Sequence, residues 1–157
     1  MDICIILGSK SDLPISNKCT ALLEEFNMAF EVRVASAHRA PKYLEEIIDR
    51  AIEDGCKIFI GMAGMAAALP GVIASMTTLP VIGVPVGGKV PLDSLLSIVQ
   101  MPPGMPVATV GVDRGDNAAV LAIQMLALGD DKLAIELSNW RKDRTAKVIA
   151  DDESLRE

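Results

Sequence analysis

The segment "SAHRAP" (36–41) holds the only histidine of this 157-residue chain, His38, with Arg39 directly after it. An imidazole exchanges protons near neutral pH, and a guanidinium offers a fork of donors suited to phosphate. By default a lone histidine is a half-buried residue with a satisfied hydrogen bond, and a lone arginine forms a weak surface ion pair, so the neighbouring segments have to decide. "GSKSD" (8–12) places Gly8, Ser9, Ser11 and Asp12 where an apolar run gives way to a helical pattern. Free N–H groups and the helix dipole favour an anion there. Asp12 can either cap that helix or bind a pair of sugar hydroxyls. "AGMAAALPG" (63–71) carries none of the usual catalytic side chains. It reads as tight packing, or as a floor of Ala63, Gly64 and Met65 that lets a flat ring reach the backbone. Ser36 stands near His38, but GxSxG is missing and no orienting acid is evident.

Other chemistries find no residues to carry them. One histidine and three scattered cysteines, Cys4, Cys19 and Cys56, cannot furnish three or four metal ligands, and no CxxC pair suggests a redox site. The cysteines read as small buried hydrophobes in a reducing compartment. "GSKSD" is neither a Walker loop nor GxGxxG.

The elements that must position these residues follow from hydrophobic patterning. "ICIIL" (3–7) is a continuous apolar run of the kind buried on both faces of a parallel sheet. Ser11 or Asp12 can cap the next helix, in which Ile15, Cys19, Leu22 and Phe26 form a stripe and Pro14 is tolerated in the first turn. Residues 30–36 predict a second strand. Pro41 opens a helix with Leu44, Ile47, Ile48, Ala51 and Ile52 on one face and Gly55 at its end, and Ala40 offers it no capping oxygen, a weakness of about 1 kcal/mol. Strands over 56–63, 79–86 and 105–112 alternate with helices over 66–76 and 92–100. An almost entirely apolar helix over 118–128, opened by Asp116 or Asn117, must be buried on all sides; Asp130 caps a last helix with Leu133, Leu137 and Trp140 on one stripe.

Five strands alternating with helices predict one α/β domain over 1–157: a three-layer, doubly wound parallel sheet of flavodoxin-like order 2-1-3-4-5, with 130–157 as a C-terminal helical extension. Ligands of such sheets bind beyond the carboxyl ends of the strands. Four loops, 8–12, 36–41, 63–71 and 84–89, are therefore expected to line one crevice.

Composition narrows the partners. Half the residues are apolar and 23% charged, with a net charge of −6 and a pI near 4.8. That balance argues against nucleic acid and against an anionic membrane surface, and an anionic ligand would need a local basic site. The start "MDICIIL" is too short for a secretory signal, and no apolar run approaches the roughly 20 residues of a membrane span. A soluble cytoplasmic protein is expected.

"GSKSD", "SAHR", "ALPGVIA", "PVIGVPV", "DSLLSIVQMPPGMPVATV" and "NAAVLAIQMLAL" occur in the order and spacing of the PurE family of purine biosynthesis. From about residue 3 to residue 145 the chain resembles its class I form, the N5-carboxyaminoimidazole ribonucleotide mutase. The resemblance implies a homo-octamer with no metal or organic cofactor, acting on a small ribonucleotide and carbon dioxide. It also implies that Ser9, Asp12 and Arg39 bind the ribonucleotide while His38 shuttles the proton. Class I members usually read close to "AGxGGAAHLPG" through the third loop; this chain has Met65 where glycine is common and Ala68 in place of a second histidine. The direct, carbon-dioxide-dependent carboxylase of class II is the alternative, with an inactive nucleotide-binding or assembly protein third. Arg39 favours class I, since class II tends to show lysine after "SAH".

The apolar helix and the last helix exceed what a five-stranded domain can cover alone, so residues 118–147 are expected to be buried against other subunits. Light scattering at micromolar concentration should report a species several times the 16.7 kDa of one chain. A monomer would contradict this expectation.

Overall fold

The computed structural model describes residues 1–156. Its sheet consists of β1 (Ile3–Leu7), β2 (Phe30–Val34), β3 (Ile58–Gly64), β4 (Val81–Val86) and β5 (Ala108–Thr109). All pairings are parallel and the order is β2-β1-β3-β4-β5, as the patterning predicts. Between the strands run α1 (Leu13–Glu25), α2 (Pro41–Glu53), α3 (Leu69–Met76) and α4 (Pro91–Val99); α5 (Gly115–Ala127) and α6 (Asp131–Ser154) follow.

All five residues of β1 are fully buried, and the first six of β3 are buried. A strand covered on both faces needs the unbroken aliphatic run seen in the sequence. On α2, Leu44, Ile47, Ile48 and Ala51 are buried and Ala40 provides no side-chain cap, both as expected, whereas Ile52 is exposed. Burial pushes the Cys4 and Cys19 thiols up to about 12, and that of Cys56 in the same direction. They are packing groups and not thiolate nucleophiles at neutral pH.

Several boundaries differ from the patterning. β2 stops at Val34 because 36–40 closes into a turn, Ala40 N–H donating to Ser36 O at 2.9 Å. α3 starts at Leu69, since 65–68 form two tight turns, Ala67 N–H to Met65 O (2.9 Å) and Ala68 N–H to Ala66 O (2.7 Å). Only Ala108 and Thr109 of the expected 105–112 form β5; Pro106 has no ladder donor, and Asp113 takes a left-handed φ of 58°. The turn before α1 is capped by Ser9 and not by Ser11 or Asp12, because a 3₁₀ turn, Lys10–Asp12, precedes the helix.

The chain forms two compact units, Met1–Ala122 and the segment from Ile123 onward, the division falling inside α5. Along α5, Ala118, Ala119, Ala122 and Ile123 are buried. Leu121, Met125 and Leu126 are half-buried, and Leu128 beyond the helix is 90% exposed. Burial on all sides is therefore not met within a single chain: the large side chains lie mostly off the buried alanine face. In the second unit, Asp130 Oδ1 accepts from Leu133 N–H at 3.0 Å, Leu133 and Leu137 are buried, and the Arg144 guanidinium lies 3.6 Å over the Trp140 ring.

One close approach sets the position of α3. Gly61 and Gly83 are direct partners across β3 and β4. A Cβ on Gly61 would lie 3.2 Å from Pro70 Cα, and one on Gly83 would run into Ile98 Cγ2 of α4 and lie 2.8 Å from Val107 Cγ1, with Pro70 Cβ only in ordinary contact at 3.4 Å. The missing side chain at Gly61 lets the first turn of α3 lie flat on the sheet, and that at Gly83 lets Ile98 bring α4 down beside it. Gly83→Ala is expected to destabilise the protein by about 1–3 kcal/mol through overpacking, lowering the thermal midpoint by roughly 2–4 °C per kcal/mol. An unchanged midpoint would contradict this packing.

Candidate active site

Because the strands are parallel, β1, β2 and β3 release their loops at one edge of the sheet. After β1, Gly8 N–H donates to Met62 O at 2.9 Å, which carries the β1–β3 pairing one residue further. Ser9 and Asp12 then form a capping box. Ser9 N–H donates to Asp12 Oδ2 at 3.0 Å, Ser11 N–H to Ser9 Oγ at 3.3 Å, and the Ser11 hydroxyl to Asp12 Oδ1 at 3.2 Å. Asp12 is only 6% exposed. Burial holds its carboxyl above the usual range, against the lowering effect of the bonds from Ser11 and Ser9.

After β2, Ser36 Oγ accepts from both the backbone N–H and Nε of Arg39, each at 3.3 Å. Arg39 Nη2 donates to Gly8 O at 3.4 Å, bringing the second loop to the first. His38 sits in the same turn and is exposed. After β3, Ala63 is buried and Gly64 half-buried, with a Cβ on Gly64 placed only 3.2 Å from Val86 O. Met65 follows at φ 57° and is 74% exposed.

These loops enclose a pocket of about 490 Å³, within the range of small-molecule sites. The candidate residues of the first three loops line it: Gly8, Ser9, Ser11, Asp12, Ser36, His38, Arg39, Ala63, Gly64 and Met65. Ala37 and the stretch 66–69 line it as well. The run of alanines before "LPG" was the signal for that stretch, since methyl groups are all that a wall so near backbone can carry. The fourth loop does not join them. Gly87 N–H is held instead by Asp113 Oδ1 at 2.9 Å, away from the pocket lining. Among the described residues, no group of three or more His, Cys, Asp or Glu side chains is placed to hold a metal ion, and no helix is long and apolar enough to cross a membrane.

A small, largely backbone-lined pocket with one arginine, one buried carboxylate and one histidine suits an anionic, hydroxyl-bearing ligand that undergoes proton transfer. A family model described as AIR carboxylase matches residues 2–147. The chain belongs to this family, the PurE proteins. It is 56% identical to the N5-carboxyaminoimidazole ribonucleotide mutase of Methanocaldococcus jannaschii, over 99% of this chain and 98% of that protein. With the Brucella melitensis protein of the same name it shares 47% identity over 94% of each. The crystal structure of Treponema denticola PurE superposes with a TM-score of 0.89 at 26% identity, covering 99% of this chain and 98% of that one. Against the usual PurE third loop, Ala68 lines the pocket at the N-cap of α3, and His38 is the one imidazole the chain can present.

Asp12 makes a pH-dependent prediction. Its folded carboxyl holds its proton more tightly than the unfolded one, so ionisation works against folding. That penalty is absent below the unfolded carboxylate range and develops as pH rises through the raised folded value. Asp12→Asn should therefore gain stability relative to the parent between pH 3.5 and pH 7 in urea unfolding. A difference that stays constant or shrinks with rising pH would contradict the assignment.

Proposed function

We infer that this chain is an N5-carboxyaminoimidazole ribonucleotide mutase, an isomerase of purine biosynthesis that moves a carboxylate from the exocyclic nitrogen to carbon 4 of the imidazole. One observation carries the reading. Ser9, Asp12, His38 and Arg39 line a single pocket in a chain that matches proteins of that name almost end to end.

In this reading Arg39, preset by Ser36, receives the phosphate, with Ser9 and Ser11 beside it at the loop that opens α1. Asp12 accepts from the ribose hydroxyls. Ala63 and Gly64 floor the imidazole, their small side chains letting the ring approach the backbone. His38 gives a proton to the exocyclic nitrogen as the N–C bond of the carbamate breaks, the bonding pair staying on nitrogen and carbon dioxide leaving. Carbon 4 then bonds to the carbon dioxide, and His38 takes the proton that carbon 4 loses. One imidazole ends each cycle as it began, so one suffices. The cytoplasm as compartment and a homo-octamer as assembly belong to the same reading. Exposed apolar residues of the last helix, among them Ile135, Val148 and Ile149, support the assembly.

A second reading, direct carboxylation of aminoimidazole ribonucleotide, is favoured by a relative from Vigna aconitifolia named a phosphoribosylaminoimidazole carboxylase, 45% identical over 96% of this chain but covered over only 27% of its own length. The purified protein should convert the N5-carboxy compound to its carbon-carboxylated isomer without added bicarbonate. His38→Asn should lower that rate by about 10²–10⁴-fold with the thermal midpoint unchanged. Conversion that requires bicarbonate would select the carboxylase, and an undiminished rate in His38→Asn would remove the proton-shuttle role.

A further inference from the structure

Met65 is an outlier in two respects. It adopts φ 57°, a left-handed conformation that L residues other than glycine seldom take, and its apolar side chain is 74% exposed while lining the pocket. It therefore contributes little to the core, and its backbone carries strain that a glycine would not. Non-glycine residues held in this region concentrate at sites where the strain serves function.

The surrounding loop narrows what that function is. Met65 O accepts from Ala67 N–H at 2.9 Å and Ala66 O from Ala68 N–H at 2.7 Å, while Gly64 is pressed against Val86 O. The backbone from 64 to 68 is thus pinned. From Ala63 to Ala68 no other side chain exceeds a methyl group, so within this loop only Met65 has a side chain long enough to extend over the pocket. Its flexible thioether adapts to irregular apolar shapes and makes favourable contacts with aromatic rings.

We propose that Met65 is a one-residue lid, folding its side chain over the bound imidazole to hold carbon dioxide beside carbon 4 between the two half-reactions. The proposal rests on the mutase reading. When the N–C bond breaks, the amine keeps the bonding pair and takes a proton, and the freed carbon dioxide either bonds to carbon 4, which then loses its proton, or escapes. Escape leaves aminoimidazole ribonucleotide as a released product. A covered pocket favours capture, an open one escape, without any change in how the proton is carried.

The test is the product ratio from N5-carboxyaminoimidazole ribonucleotide, without bicarbonate and after subtraction of the enzyme-free rate, for the parent, Met65→Gly and Met65→Leu. The parent should give mostly the carbon-carboxylated isomer. Met65→Gly should raise the fraction released as aminoimidazole ribonucleotide at least threefold, and Met65→Leu should return it to within twofold of the parent. The glycine variant relieves the left-handed strain, so its thermal midpoint should match or exceed the parent's, and a loss of capture is then not a loss of fold. A released fraction in Met65→Gly within twofold of the parent would overturn the lid, as would a Met65→Leu fraction no lower than that of Met65→Gly. A parent that produces no isomer would overturn the mutase reading itself.

Discussion

The site depends on how closely a helix can approach a sheet. Gly61 and Gly83 face each other across β3 and β4; Pro70 lies in the space over Gly61, while Ile98 and Val107 fill the space over Gly83. With Pro70 seated there, the stretch from Ala66 to Leu69 becomes a wall of the pocket and not a loop in solvent. The same approach forces small residues into that wall. A pocket built this way recognises its ligand through shape and backbone, and leaves specific chemistry to a few side chains at its rim.

Those side chains come from the two neighbouring loops, and their electrostatics conflict with stability. Asp12 is a carboxylate buried in an acidic chain, retained although burial disfavours its charge. Its hydrogen bonds to Ser9 and Ser11 offset part of that penalty and hold it in one geometry. Arg39 supplies the opposing charge without a carboxylate partner of its own: its described contacts are the Ser36 hydroxyl and the Gly8 carbonyl, both neutral. A guanidinium held by neutral acceptors keeps its charge for an incoming anion. A cation for the anionic group and a carboxylate to accept from hydroxyls, set in one pocket, suit an anionic sugar derivative.

Much of this was legible in the sequence because its signals are local or periodic. The buried aliphatic runs marked the sheet, the alternation of strands with helices made it parallel, and the flavodoxin-like order was the simplest arrangement of five such strands. Glycine, serine and alanine at three strand ends marked the pocket that the structure closes around His38. The remaining features depend on tertiary contacts. Gly87 N–H is held by Asp113 Oδ1 and the fourth loop stays out of the pocket lining, although it carries glycines as the first and third loops do. The 3₁₀ turn moves the cap from Ser11 or Asp12 to Ser9, and Asp12, held in the capping box by Ser9 N–H, lines the pocket. β5 shrinks to two residues at the sheet edge. Met65 reads in the sequence as part of a floor; its left-handed backbone angle and its 74% exposure, which set it apart from that role, depend on the folded loop.

The central claim is that the carboxyl group moves from nitrogen to carbon within one occupied pocket. It is tested most directly by supplying N5-carboxyaminoimidazole ribonucleotide with a ¹³C-labelled carboxylate in unlabelled bicarbonate buffer and following the label by NMR. Retention of the ¹³C in the carbon-carboxylated product, at every bicarbonate concentration, is expected. A product whose carboxylate carries the isotope of the buffer would contradict transfer within the site.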